Sequence, residues 1–157
     1  MKEYIHYGHK YFNKKYFKPI VNDYLWVKPM GGLWASPIDA EYGWKDWCLD
    51  NDFRKCNEEN SFKFTLTKDA NICHIYSVND LKDLPRQELP RDLYYTTLGR
   101  CILNFESMVN SGYDAIELHL SEEKDRPKGI MVGLYYALYG WDCDSILIMN
   151  PDIIIPI

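Results

Sequence analysis

Three short stretches of the chain carry residue types whose order suits chemistry on a small, flat ligand. The first is His6-Tyr7-Gly8, an imidazole followed closely by a glycine. The second is Lys28-Pro29-Met30-Gly31-Gly32-Leu33-Trp34-Ala35-Ser36-Pro37, continued by Trp44-Lys45-Asp46-Trp47-Cys48. The third is Asp142-Cys143-Asp144-Ser145-Ile146-Leu147-Ile148-Met149-Asn150-Pro151, where Asp144 stands just ahead of an apolar run. A carboxylate can favour a developing positive charge. A glycine turn lets backbone N–H and C=O groups approach a ligand closely. An aromatic face can stack on a flat ring. Each residue also has an ordinary reading. Gly8, Gly31 and Gly32 suit turns, Ser36 before Pro37 suits a cap, Trp34 suits a core, and a carboxylate often precedes a buried strand. The order and spacing of the set carry the inference.

Other chemistries leave little trace. There is no G-x-S-x-G, no P-loop, no H-E-x-x-H and no G-x-G-x-x-G. Cys48, Cys56, Cys73, Cys101 and Cys143 are odd in number, irregularly spaced and without a CxxC pair. That pattern argues against a disulfide framework and a structural zinc site, and for free thiols in a reducing compartment. His74 and His119 stand isolated in the sequence, so no metal site is expected.

The 157 residues suit one domain, 1–157, and 46% of them are hydrophobic, enough to bury a core. The net charge is -5, and no run of Lys or Arg exceeds two residues. Lys10, Lys14, Lys15 and Lys18 form a local basic cluster that reads as a solvated face. This composition argues against a general nucleic-acid binder, which needs a basic patch. One nucleotide ligand needs only a few donors. The 13 Tyr and 5 Trp suit packing and also pockets for flat ligands. The polar N-terminus lacks a secretory h-region, and no segment approaches the roughly 20 apolar residues of a membrane helix. A cytoplasmic, non-membrane protein is the expectation.

Positioning these residues requires strands at both ends. Glu3 to Tyr7 reads as a strand ending at Gly8, and Leu33 to Ser36 as a short strand between breakers. Asp39 suits the cap of a following helix whose apolar face includes Trp44, Trp47 and Cys48. Ser61 to Thr67 alternates as a half-buried strand, and Asn71 to Ser77 is a second. Val78 to Leu84 reads as a short helix or turn, followed by a Pro85 to Pro90 loop. Leu98 to Val109 has helical spacing and Gly112 ends it. Tyr113 to Leu120 reads as a strand with a polar face of Ala115, Glu117 and His119. The stretch 130–139 fits either a helix or a loop folding over a site, and Ser145 to Met149 a buried strand. Helices between terminal strands imply α+β rather than alternating βαβ.

In their order, the three stretches resemble the ADP-ribosyltransferase superfamily, on the side that includes poly(ADP-ribose) polymerases and related bacterial toxins. The resemblance lies mainly in residues 4–50 and 142–151. The family opens with a strand bearing His and Gly, here His6 and Gly8. It continues with a Gly-aromatic-small-Ser strand and a helix, here Gly32-Leu33-Trp34-Ala35-Ser36 and Trp44 to Cys48. It sets an acid ahead of a late strand, here Asp144, where many members have Glu. The resemblance implies a small fold with a central split, a mainly antiparallel sheet and flanking helices. It also implies cleavage of the nicotinamide–ribose bond of NAD, by an ADP-ribosyltransferase or an NAD glycohydrolase. His6 would contact a ribose hydroxyl, Gly8 the nicotinamide amide, and Ser36 the nicotinamide ribose or amide. Tyr7, Gly32, Leu33 and Trp34 would complete the NAD site, and Asp144 would be the catalytic acid, with Glu117 as the alternative. His9 follows Gly8 where the family often has a small hydroxyl residue. The acceptor stays open between protein, nucleic acid and small molecule. A catalytically silent binding or interaction module of the same fold is the alternative function.

Overall fold

The computed structural model describes residues 1–23, 28–88, 101–120, 138 and 140–157. Nine strands and two α-helices occupy them: β1 Tyr4–Tyr7, β2 Leu33–Pro37, α1 Trp44–Asp50, β3 Ser61–Leu66, β4 Ile72–Ile75, β5 Arg86–Glu88, β6 Cys101–Leu103, α2 Phe105–Asn110, β7 Ala115–Leu118, β8 Ser145–Ile148 and β9 Ile154–Pro156. Seven strands form one sheet in the order β4-β7-β8-β2-β1-β3-β9, and β5 pairs with β6 apart from it. Only the β4–β7 pair of the large sheet is parallel. The architecture is therefore mixed α+β with a mostly antiparallel sheet.

Strand alternation sends side chains to two apolar layers. Cys73, Ile75, Ile116, Leu118 and Leu147 pack with Phe105 and Met108 of α2 on one face. Tyr4, Ala35, Phe64, Ala115, Ile146 and Ile148 pack on the other with Ile153 and Ile154. The inner strands β7 and β8 are buried along their whole length, which explains the apolar run of β8.

The sheet forks between β1 and β2. These strands pair at Tyr4↔Pro37 and Ile5↔Ser36. Past that point β1 stays with β3 as far as Tyr7↔Ser61. Meanwhile Leu33, Trp34 and Ala35 of β2 pair with Ile148, Leu147 and Ile146 of β8. A strap ahead of β2 closes onto the fork: the Gly32 N–H donates to the Lys18 carbonyl, 2.9 Å away. At Gly31, φ is +81° and an added Cβ would fall 2.0 Å from the Pro19 carbonyl oxygen, so this turn needs glycine.

Three expected features turn out differently. The helix expected from Leu98 begins at Phe105, because Asn104 caps it by accepting from the Ser107 N–H at 2.9 Å. Cys101–Leu103 instead form β6 against Arg86–Glu88, in the stretch expected as loop. Residues 98–100, like the stretch 130–139 apart from 138, lie outside the described residues. The first helix is capped by Gly43 rather than Asp39, with the Gly43 N–H donating to Asp46 Oδ2 at 2.9 Å. No helix among the described residues is long and apolar enough to cross a membrane.

Candidate functional site

A cavity of about 460 Å³ sits in the fork. His6, Tyr7 and Gly8 line it from the β1 arm, and Gly32, Leu33, Trp34 and Ser36 from the β2 arm. All seven residues expected to contact NAD thus share one cavity. Its volume lies within the range of small-molecule pockets.

His6 stands where the β1–β2 ladder would have continued. Its Nδ1 is 2.7 Å from the Trp34 carbonyl oxygen, so in the neutral ring the Nδ1–H donates there. Nε2 is left as the acceptor and lies 3.3 Å from His9 Nδ1. Burial lowers the His6 pKa from its ordinary value and favours this neutral form; the hydrogen bond to Trp34 opposes the shift. Phe62 packs against the ring at 5.1 Å. Gly8 has φ +142°, and a Cβ there would come within 3.2 Å of His6 Nε2.

Trp34 meets Trp141 edge-on at 4.6 Å. The indole N–H of the buried Trp141 has no hydrogen-bond partner among the described residues. Lys28 holds its ammonium 5.2 Å from the Trp34 ring. Burial lowers the Lys28 pKa, and the Asp142 carboxylate pulls it back up. Across the cavity, Arg54 caps Trp44 at 5.3 Å. Among the described residues, the wall thus offers aromatic faces, the cations Lys28 and Arg54, and the carboxylate of Asp142.

Asp142 lines the cavity, a carboxylate not expected there from the sequence. Asp144, expected as the catalytic acid, is buried and does not line the cavity. Its backbone N–H donates to the Tyr42 carbonyl and its carbonyl accepts from Ser36 Oγ, both at 2.9 Å. Ser36 lines the cavity, but its hydroxyl also accepts the Trp44 N–H at 2.9 Å. It therefore ties β8 to the start of α1. Glu117, the alternative acid, is fully buried and lies outside the cavity.

Cys143 also reaches the wall, but burial pushes its thiol up to about 12, which keeps it protonated and a poor nucleophile. His74 and His119, isolated in the sequence, come together at 3.0 Å with Glu117 between the same two strands. Periodicity could signal only the Glu117–His119 half of this cluster, since those two residues are two apart and share a strand face.

The chain matches no family model, no curated protein and no solved structure.

Proposed function

We propose that the domain binds NAD in the forked cavity and breaks its nicotinamide–ribose bond, as an ADP-ribosyltransferase or an NAD glycohydrolase. The observation that carries this reading is the fork. It brings His6-Tyr7-Gly8 and Gly32-Leu33-Trp34 to facing walls of one cavity, from stretches about 25 residues apart. A dinucleotide needs flat apolar faces for its rings and cations for its pyrophosphate. Trp34, Arg54 and Lys28 supply both kinds of contact.

In this reading His6 Nε2 accepts a hydrogen bond from a ribose hydroxyl. The nitrogen–ribose bond breaks with its electron pair leaving on nicotinamide, and the ribosyl carbon becomes oxocarbenium-like, as in glycoside cleavage. Asp142, the carboxylate at the wall, opposes that charge. Addition of water or another nucleophile, with loss of its proton, completes the step. The acceptor follows no feature of the cavity.

A specific observation favours a second reading, a silent binding module of the same fold: the carboxylate at the family's acid position, Asp144, is buried off the cavity. One experiment separates the two. The protein is titrated with NAD and the mixture assayed for free nicotinamide by mass spectrometry. Saturable binding with nicotinamide release supports the enzyme, and binding without release supports the module. Absence of NAD binding overturns the enzyme and favours a silent module that recognises something other than NAD.

A further inference from the structure

Away from the forked cavity, two imidazoles and a carboxylate converge on the sheet face opposite α2. Glu117 sits directly across from His74 in the parallel register of β4 and β7. His119, just beyond β7, is held in line by its backbone N–H, which donates to the Ile75 carbonyl at 2.9 Å. His74 Nδ1 lies 3.0 Å from His119 Nε2 and 3.3 Å from Glu117 Oε2, and His119 Nε2 lies 3.8 Å from the same oxygen. The circle through these three atoms has a radius of about 2.0 Å, which is the length of a Zn–N or Zn–O bond.

We propose that His74, Glu117 and His119 bind a single divalent d-block cation, with zinc the best match. Two neutral imidazoles and one carboxylate suit zinc, whereas magnesium and calcium prefer oxygen ligands throughout. The donors are held in advance, as ligands of a metal usually are. Tyr4 donates its hydroxyl to Glu117 Oε2 at 3.2 Å, and Lys2 Nζ stands 2.8 Å from Oε1. Tyr76 stacks on the His119 ring at 4.0 Å and sets its plane. Glu117 is fully buried and His119 nearly so, while His74 is exposed and gives the ion a way in. The described residues supply three ligands, leaving a tetrahedral ion one position for water. Bound there, the ion cross-links the parallel pair of strands. This inference does not depend on the reading of the cavity.

The test uses the full chain, freed of metal by chelation and titrated with Zn²⁺ by calorimetry, with Mg²⁺ as the control cation. One Zn²⁺ per chain is expected, with no comparable binding of Mg²⁺ and a melting temperature that rises with Zn²⁺. His74→Ala removes the exposed ligand with least risk to the core. It should weaken zinc binding by more than about a hundredfold, beyond the usual cost of losing an outer-shell partner, and abolish the thermal shift. His119→Gln should do the same. Co²⁺ in place of Zn²⁺ should give visible bands without thiolate charge transfer. No stoichiometric Zn²⁺ binding by the parent overturns the proposal. So does equal binding by the parent and both variants, or a thiolate signature, either of which puts the ion elsewhere.

Discussion

His6 Nδ1 lies 2.7 Å from the Trp34 carbonyl oxygen, across the point where β1 and β2 part. A side chain here takes the place of the next rung of the ladder. The contact holds one lip of the fork to the other and sets which ring nitrogen faces the cavity.

From this follows the expected effect of His6→Ala. Removing one hydrogen bond to a ligand typically costs about 1–3 kcal/mol. NAD binding measured by calorimetry should weaken accordingly, with the far-UV circular dichroism of the fold retained. A variant that melts early but binds as tightly as the parent would make His6 a structural residue only.

The same imidazole gives a pH dependence with a definite sign. Burial holds the folded-state pKa of His6 below its ordinary 6.5, which the unfolded chain keeps. As pH falls below that value, the unfolded chain takes up the proton first and folding loses stability until the folded pKa is passed. Above it, both states are neutral and the contribution is flat. Urea midpoints of the parent and His6→Ala, measured on both sides of that pH, should therefore differ by an amount that changes only on the acid side. An unchanging difference would show that His6 titrates alike in both states.

For the proposed reaction, Asp142→Asn should lower kcat by roughly a hundred- to a thousand-fold while NAD affinity stays within a few fold. The amide keeps the shape but cannot oppose charge that develops only in the transition state. Asp144→Asn, altered at a buried position, should register mainly in the melting temperature. Turnover lost in Asp144→Asn and kept in Asp142→Asn would return the acid's role to the position that the family resemblance names.

Tyr4→Phe tests how the buried Glu117 is accommodated. The Tyr4 hydroxyl donates to Glu117 Oε2 at 3.2 Å, and the Lys2 ammonium stands 2.8 Å from Oε1. Loss of a donor to a buried carboxylate should cost about 1–3 kcal/mol of unfolding free energy. Denaturant unfolding measures it directly, and a change near zero would mean that Lys2 and the histidines suffice.

The sequence made strands legible where apolar alternation was clean, as in β3, or where a short apolar run was unbroken, as in β8. Gly31 and Gly32 announced the turn before β2 for the same local reason. The Cys101–Leu103 strand was hidden because its apolar residues also fit the helical spacing that runs on through Phe105. Only the capping side chain of Asn104 separates the two elements. The walls of the cavity were legible through His6, Gly8 and Trp34, but the presence of Asp142 on that wall was not. Asp142 and Asp144 look alike in a sequence; which one reaches the cavity depends on how the chain turns into β8. The meeting of His74 with His119 depends on a parallel pairing between distant strands, which no local pattern encodes.

The strand order bears on how the protein can be made. A ribosome delivers the chain from its N-terminus, so β1, β2 and β3 emerge early, followed by β4 and β7. Yet β8, near the end of the sequence, lies between β7 and β2. Until residues 145–148 arrive, the nascent chain holds two separate partial sheets with facing edges, each an exposed template for wrong pairing. Assembly is therefore completed by inserting a late strand between two waiting edges, and a ribosome-bound fragment stopped before Ser145 should stay protease-sensitive even with most of its strands already made.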